Sequence, residues 1–225
     1  MKVRSTTIAA LLSLTFLSSF SEAQEKLSPF ALVSVSSKPQ AKGDFFLADT
    51  KTAAPIYRDA NDFPVVRIAA EAFASDVQNV TGAKPGVLTT APTSAPNAIF
   101  VGTLGKSRLI DDLVARKKID VSRIRGGWET FQIVSVEKPV PGVEQGLVVI
   151  GSDRRGTAFG IFSLSESIGV SPWTWWADVT PEHRDSIVIS RTKYRSKTPS
   201  VKYRGIFLND EDWGLHPWAA KNFET

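Results

Sequence analysis

A dense group of carboxylates directly follows an apolar segment near the last residues of the sequence. Residues 201–208 are rich in β-branched, aromatic and aliphatic side chains, which are typical of a buried strand. The next positions carry amide, carboxyl and indole groups: Asn209, Asp210, Glu211, Asp212 and Trp213. Three consecutive carboxylates repel one another, so a role in folding alone explains them poorly. Acidic side chains at the carboxyl end of a barrel strand are typical of active sites.

Neighbouring carboxylates can perform the chemistry of glycoside hydrolysis. One carboxylic acid protonates the leaving oxygen, a carboxylate attacks or activates water, and nearby acids and amides hold sugar hydroxyls. We therefore take Asp210, Glu211 and Asp212 as candidate catalytic residues, and the whole segment 209–213 as a candidate substrate-binding segment. The alternative interpretation is a surface turn or a helix cap.

A second group that could contact sugars is the tryptophan cluster at 172–178. Trp173, Trp175 and Trp176 offer flat indole faces on which sugar rings can stack. The simpler interpretation is that these rings fill the seam between one domain and the next. The cluster alone therefore does not decide between binding and packing.

The sequence lacks residues that several other kinds of catalytic or binding site require. The chain has no cysteine and only two histidines, His183 and His216, so thiol catalysis is excluded and a zinc site or a Ser-His-Asp triad is not expected. We interpret His183 as an exposed bystander in a turn. Lysine and arginine are scattered at a net charge of +4, with short groups such as Arg154-Arg155 on solvated faces or turns, which argues against nucleic-acid binding. We expect no cofactor and no metal.

Residues 148–156 (VVIGSDRRG) resemble a phosphate loop only superficially. The segment follows a strand and opens a helix, but it has one glycine at each end rather than the G-x-G-x-x-G spacing. We predict instead that Asp153 caps the helix and that Gly156 permits a tight turn.

The first 23 residues are predicted to be a cleaved secretory signal peptide. Lys2 and Arg4 precede an apolar run from Ile8 to Phe20, and small residues end at Ala23. The run is too short to span a bilayer, and no other stretch approaches the required length. The sequence thus indicates a secreted protein, extracellular or periplasmic, and argues against a membrane protein.

Between these ends, helices and strands alternate. Helical spacing predicts helices over 66–80, ending at Gly82, around 109–114 and over about 156–168, the last mostly buried. Strand-like segments lie at 30–35, 45–47, 55–57, 87–90, 99–101, 130–136, 147–150 and 186–190. This order predicts an α+β domain at 24–190, built as one sheet covered by helices. A polar linker at 191–200 and the first strand of a truncated (β/α)8 barrel at 201–225 are predicted to follow.

Several segments together resemble glycoside hydrolase family 115, the xylan α-1,2-glucuronidases. The string 203–215 with 217–219 is similar to the opening of that family's catalytic barrel. The segments 76–82, 151–157, 169–173 and 175–179 are similar to its N-terminal domain. The resemblance spans most of the chain after the signal peptide.

This resemblance implies a longer enzyme that removes glucuronic or 4-O-methylglucuronic acid from glucuronoxylan, or from decorated xylo-oligosaccharides, by inversion. Residues 209–212 would then face the uronic acid pocket. Because an inverting acid and base lie about 6.5 to 9.5 Å apart, a partner carboxylate is expected outside this loop. The resemblance also implies an N-terminal fragment that is inactive alone, since a barrel needs roughly 250 residues. The full-length enzyme could form a homodimer.

Two alternatives stay open at this point. One is the N-terminal region of a hexosaminidase or a family 67-like glucuronidase, against which the string 209–214 argues. The other is a secreted carbohydrate-binding module that uses Trp173, Trp175 and Trp176 as its platform.

Overall fold

A computed structural model of the protein describes residues 30–90, 93–174, 177–205 and 207. Its strands are β1 (Val35–Ser36), β2 (Phe45–Asp49), β3 (Ile56–Arg58), β4 (Val87–Leu88), β5 (Ala95–Thr103), β6 (Phe131–Glu137), β7 (Val143–Gly151), β8 (Ser186–Ile189) and β9 (Lys193–Arg195). Its α-helices are α1 (Pro64–Thr81), α2 (Arg108–Ala115) and α3 (Arg154–Ser167). The three predicted helices and most of the predicted strands are confirmed, with boundaries that move by a few residues. Of the predicted strand at 30–35, only Val35 lies in a strand. Residues 201–205 and 207 belong to no described strand, and the barrel strand predicted at 201–208 stays a prediction.

The larger sheet has six strands in the order β4-β3-β5-β7-β6-β9. The first four strands run parallel, β6 is antiparallel to β7, and β9 is antiparallel to β6. The centre of the sheet is the β5–β7 pair, which is in register from Ala95 and Val143 to Thr103 and Gly151. The carboxyl ends of β3, β5 and β7 therefore meet at one edge, where the loops that carry polar side chains lie.

Both faces of this sheet are buried, which explains its continuous apolar strands. On β7, Leu147 and Val149 face α1 and α3, whereas Val148 and Ile150 face α2 and the segment after it. Successive residues of a strand point to opposite faces, so one apolar run supplies two separate cores. The mixed α/β character predicted from the sequence is confirmed.

Helix α1 follows directly from its apolar spacing. Val66, Phe73 and Val77 lie on its fully buried face, and Pro64 occupies the first turn, where no backbone donor is needed. The helix ends at Gly82, whose φ of 90° is left-handed and whose amide donates to the Gln78 carbonyl. The predicted helix and its stop are both confirmed.

Helix α3 is less buried than its sequence predicts. Ala158, Ile161 and Leu164 lie in the core, but Phe159 and Phe162 are 38% and 45% exposed. The dense apolar run therefore covers more than the inward face of the helix. The expectation of a mostly buried helix is wrong for these two phenylalanines.

A second sheet corrects the expectation of a single one. It has three antiparallel strands in the order β1-β8-β2, and Ile189 pairs with both Val35 and Phe45. Its inward side chains join the core formed by α1 and α3. The strands are short and their partners are far apart in the chain, so local sequence patterns could not predict their pairing.

The predicted linker at 191–200 contains the edge strand β9. Tyr194 of β9 pairs with Ile133 and stacks its ring 5.9 Å from that of Phe131. The Phe131 amide also donates to the Ser196 hydroxyl at 2.8 Å. The basic, polar composition of this segment reflects an exposed edge rather than a free connection.

Among the described residues, no helix is both long enough and apolar enough to cross a membrane.

The packing of α1 against α3 makes stability depend on pH at Asp76. Burial raises the pKa of Asp76 above its ordinary value of 3.8, and the nearby Ser165 hydroxyl lowers it only in part. Because the native state disfavours the ionised form, the contribution of Asp76 to the free energy of unfolding falls as pH rises above that ordinary value. Asp76→Asn should therefore stabilise the protein more at ~pH 7 than at ~pH 4, as measured by urea unfolding.

Asp49 provides a control of opposite sign for this measurement. The Lys51 and Thr52 amides lower the pKa of its carboxyl, so its ionised form is favoured in the native state. Asp49→Asn should lose stability relative to the unsubstituted protein as pH rises. An Asp76→Asn effect that is equal at both pH values would contradict this account of the buried carboxyl.

Candidate functional site

The residues singled out for catalysis lie outside the described part of the chain. This holds for Asn209, Asp210, Glu211, Asp212 and Trp213, and for Trp175 and Trp176 of the tryptophan cluster. What the structure does describe is the approach to the acidic segment, residues 201–205, and the surface against which this approach lies. That surface is the edge at the carboxyl ends of the parallel strands.

Ligands of open α/β sheets bind in a crevice at this kind of edge. Here the centre of the crevice is filled by the protein's own polar side chains. Asp62 Oδ2 accepts a 2.7 Å hydrogen bond from the Thr103 amide, and the hydroxyls of Thr103 and Thr157 lie 2.8 Å apart. Burial raises the pKa of Asp62, and the amides of Thr103 and Phe63 oppose that rise. These polar groups are therefore paired with one another within the fold.

Asp153 is the N-cap residue of α3. Its Oδ1 accepts from the Gly156 amide at 2.8 Å, and its Oδ2 accepts from the Glu129 amide at 2.7 Å. One carboxylate thus caps the helix and holds the loop before β6. The predicted cap is confirmed, and the Gly156 amide at the start of the helix is already paired with it.

Gly156 lets the loop before β6 approach the first turn of α3. A Cβ at this position would lie 2.3 Å from the Thr130 carbonyl oxygen. Two hydrogen bonds join the loop and the end of β7 at the same point, from the Ser152 amide to the Thr130 carbonyl and from the Thr130 amide to the Ser152 hydroxyl. Gly156 therefore lies in the first turn of α3 rather than in the predicted tight turn, and a glycine is needed there because of this close backbone contact.

Glu129 is the central residue of the site. Its side chain is only 6% exposed and pairs with two guanidinium groups, that of Arg155 at 3.0 Å and that of Arg204. Its backbone has a φ of 54°, in the left-handed region that non-glycine residues seldom occupy. A buried charge in a strained conformation persists only where its surroundings hold it firmly, and such residues cluster at functional sites.

Arg204 fastens residues 201–204 to this surface. Its guanidinium lies 5.6 Å from the Trp128 ring, pairs with Glu129 and donates to the Val201 carbonyl at 2.8 Å. A guanidinium that is both stacked and ion-paired has little freedom. Arg204 is five positions before Asn209 in the sequence.

A cleft of about 330 Å³ opens beside this contact, and we call it the basic cleft. Its walls come from three parts of the chain: the loop before β6, the first turn of α3, and residues 201–205, which we call the approach segment. The lining residues are Trp128, Glu129, Asp153, Arg154, Arg155, Lys202 and Tyr203. It combines cationic and aromatic side chains on one concave surface. Within the described ranges, no group of three or more histidine, aspartate or glutamate side chains could hold a metal ion.

Sequence reasoning missed the importance of Glu129. Arg154 and Arg155 are exposed, as predicted for a solvated face, but Arg155 also pairs with the buried Glu129 carboxylate, which the sequence did not indicate. The local signal was a glutamate that follows Gly126-Gly127-Trp128 and stands two residues before the strand β6. Its partners lie 26 and 75 positions further on, and no local pattern connects them.

The remaining predicted residues stand apart from this site. Trp173 lies on a short 3-10 helix (Pro172–Thr174) and is 61% exposed. His183 is also exposed and lies 3.5 Å from Asp185, as expected of a bystander.

Comparisons with known proteins connect this geometry to one family. The family model described as Glycosyl hydrolase family 115 matches residues 196–225. Among solved structures, the chain is similar to a family GH115 4-O-methyl-α-glucuronidase with specificity for decorated arabinogalactans, at 39% identity and a TM-score of 0.63. The similarity covers 80% of this chain and 22% of that enzyme, so the chain spans less than a quarter of the enzyme's length.

Two further solved structures are less similar to this chain. The protein CpGH84D matches at 11% identity and a TM-score of 0.41, over 70% of this chain and 22% of its own. A GH20 β-N-acetylhexosaminidase from Streptomyces coelicolor A3(2) matches at 12% identity and a TM-score of 0.40, over 75% of this chain and 26% of its own. Among curated proteins, none matches the sequence.

Proposed function

Because this chain belongs to glycoside hydrolase family 115, we propose that it forms the N-terminal part of a secreted enzyme that removes (4-O-methyl)glucuronic acid side chains from xylan. The observation that carries the proposal is the 39% identity to a 4-O-methyl-α-glucuronidase over 80% of the chain. The family model adds the segment 196–225, which includes the whole acidic group. A decorated arabinogalactan is a second substrate to test, because the similar enzyme acts on that polysaccharide.

In this proposal the parts of the chain have separate tasks. Residues 1–23 direct secretion, residues 24–190 form the N-terminal domain, residues 191–200 connect it onward, and residues 201–225 open a catalytic barrel. Strand β9 within 191–200 supports a connection that is held against the sheet. The full-length enzyme could pair as a homodimer.

The chemistry proposed for the acidic segment is proton transfer and sugar positioning. A uronic acid side chain leaves the polysaccharide when an acid protonates the glycosidic oxygen and a base activates water at the anomeric carbon. Asp210, Glu211 and Asp212 are the candidates for one of these two roles, and Asn209 and Trp213 for holding the sugar. The second carboxylate comes from another part of the enzyme, since adjacent residues are too close to serve as the inverting pair.

Residues of the described site support this chemistry by positioning. Arg204 and Arg155 bracket Glu129, so the approach segment starts from a fixed point beside α3. Catalytic groups need placement within a fraction of an ångström, and a buried ionic cluster just ahead of them provides a rigid base. We assign Glu129, Arg155 and Arg204 this positioning role and no contact with the reacting atoms.

A chimera tests the proposal directly. This chain would replace the equivalent N-terminal region of the similar 4-O-methyl-α-glucuronidase, and free uronic acid would be assayed with glucuronoxylan and with decorated arabinogalactan. We expect the chimera to release uronic acid from at least one polysaccharide, and the chain alone to release none. The chain alone is inactive in this account because it spans only 22% of the similar enzyme.

The control for the chain alone is a Glu211→Ala, Asp212→Ala double variant. Release by the unsubstituted chain above that control would refute the proposed inactivity. A chimera that unfolds cooperatively but releases no uronic acid from either polysaccharide would refute the proposed activity.

A further inference from the structure

The basic cleft carries more positive charge than its own acids neutralise. Among the described residues, four cations stand at or beside it, Arg154, Arg155, Lys202 and Arg204, against two carboxylates, Glu129 and Asp153. The single charge of Glu129 is shared by two guanidinium groups. Both oxygens of Asp153 are engaged by backbone amides within the fold. The excess positive charge is therefore left to attract an external anion.

Two of these cations have no acidic partner in the described part of the chain, Arg154 and Lys202. Each lies near an aromatic ring instead, Arg154 at 6.0 Å from the Phe63 ring and Lys202 at 5.6 Å from the Tyr203 ring. Both side chains are exposed at the mouth of the cleft. They can reorient toward a bound carboxylate without breaking an ion pair.

The apolar part of the cleft fits a sugar ring. Trp128 is half-buried in its wall and Tyr203 is exposed at its rim, so both rings can contact the C–H face of a pyranose. The cleft volume of about 330 Å³ lies within the usual range of small-ligand pockets, roughly 300 to 1,000 Å³. A cleft that pairs cations with aromatic rings matches a ring that itself bears a carboxylate, more closely than it matches a neutral sugar or a bare phosphate.

We propose that the basic cleft is a secondary binding site for a uronic acid residue of the polysaccharide, with Lys202 and Arg154 holding the carboxylate and Trp128 the sugar ring. The proposal rests on the proposed function, because that function supplies a polysaccharide rich in uronic acid. The site is formed by the N-terminal domain together with Lys202 and Tyr203, and it involves none of the acidic residues 209–212. It would hold one uronic acid side group of the polysaccharide while another is removed at the catalytic site.

A second cleft of about 290 Å³ provides an internal comparison. It is lined by Arg116, Lys138 and residues 140–144, without an aromatic ring, and Lys138 lies 3.9 Å from Glu144. Its cations are already engaged, since Arg116 also donates to the Pro139 carbonyl. This cleft should not bind uronic acid.

Titration of the full chain with glucuronic acid, followed by ¹⁵N–¹H NMR, tests the proposal. We expect shifts at the Trp128 indole N–H, assigned by its loss in Trp128→Phe, and at the backbone amides of Arg154 and Arg155. Glucose at the same concentration should leave these signals unchanged. The affinity should be weak, with a Kd on the order of millimolar, and should weaken further as salt is added.

Paired variants decide whether the cleft is responsible. Lys202→Ala and Arg154→Ala should each raise the Kd about fivefold, and the double variant should abolish saturation. Lys138→Ala, in the second cleft, should leave the Kd unchanged. These side chains are exposed, and matching melting curves would verify that each variant is folded.

Equal shifts with glucose, or a Kd that the double variant does not change, would overturn the proposal. Either result leaves the proposed hydrolase activity intact, since the chimera assay measures cleavage and not binding at this cleft. Conversely, an inactive chimera together with cleft-specific shifts would remove the proposed activity and keep a site for acidic sugars.

Discussion

Replacing Gly156 with alanine should lower the free energy of unfolding by about 3 kcal/mol. The new Cβ would lie 2.3 Å from the Thr130 carbonyl oxygen and 3.1 Å from the Thr130 carbonyl carbon. Both are backbone atoms of the residue before β6, so no side chain can rotate away to make room. Helix α3 would have to move off the sheet, which also breaks the hydrogen bonds of Asp153. Urea unfolding measures this loss.

Gly86 is the matched control for this substitution. A Cβ there would meet only the Leu88 side chain, at 3.8 Å, which is an ordinary contact. Gly86→Ala should leave stability unchanged or raise it by up to about 1 kcal/mol, because alanine reduces the freedom of the unfolded chain. Similar losses at both positions would show that the close approach of α3 to β6 does not determine the effect.

Replacing Glu129 with alanine should lower the free energy of unfolding by about 2 to 3 kcal/mol. It should also release the approach segment from the surface of the domain. A buried ion pair that loses one member leaves its partners uncompensated, which costs more than the pair contributes. The estimate lies below the full cost of a buried pair because Arg155 and Arg204 are 56% and 34% exposed and regain some hydration. We expect the alanine variant to keep the left-handed backbone at position 129, so that loss of the carboxylate is the main change.

Two measurements test the Glu129 prediction. Urea unfolding gives the loss of stability, and limited trypsin digestion reports cleavage after Arg204, which should become faster once this side chain is released. Glu71→Ala is the control, since the Arg67–Glu71 pair is an exposed (i, i+4) pair on α1 and contributes about 0.5 kcal/mol at most. If both variants behave alike, the ionic cluster does not anchor residues 201–204.

The local features of the fold could be predicted from the sequence because their causes are local. The apolar spacing of α1 and its stop at Gly82 lie within one short segment, as does the pairing of Asp153 with the amide three residues later. The strands β5 and β7 contain continuous apolar runs, at 98–101 and 147–150, as expected of strands covered on both faces. Such signals depend on few residues and do not require knowledge of the tertiary fold.

The features that could not be predicted depend on contacts between distant residues. The strand β8 finds β1 and β2 across most of the domain, and β9 is a three-residue strand whose only inward side chain is Tyr194. The ionic cluster joins positions 129, 155 and 204 from three separate segments. Its members each look like ordinary surface charges in the sequence, and only the fold shows that Glu129 is buried.

The described site and the proposed activity are connected by position along the chain. Glu129 anchors Arg204, and the acidic segment starts five residues later. Loss of the Glu129–Arg204 ion pair should therefore lower the activity of the chimera without removing a reacting group. Loss of the essential carboxylate within 210–212 should abolish it.

The most direct measurement of the central claim is kcat of the chimera carrying Asp210→Asn, Glu211→Gln or Asp212→Asn, one at a time. If this segment contributes to proton transfer, at least one of the three should lower kcat by about 10² or more. Glu71→Gln on the exposed face of α1 should leave kcat unchanged. Three acidic variants that all retain the kcat of the unsubstituted chimera would contradict the claim that residues 210–212 take part in cleaving the glycosidic bond.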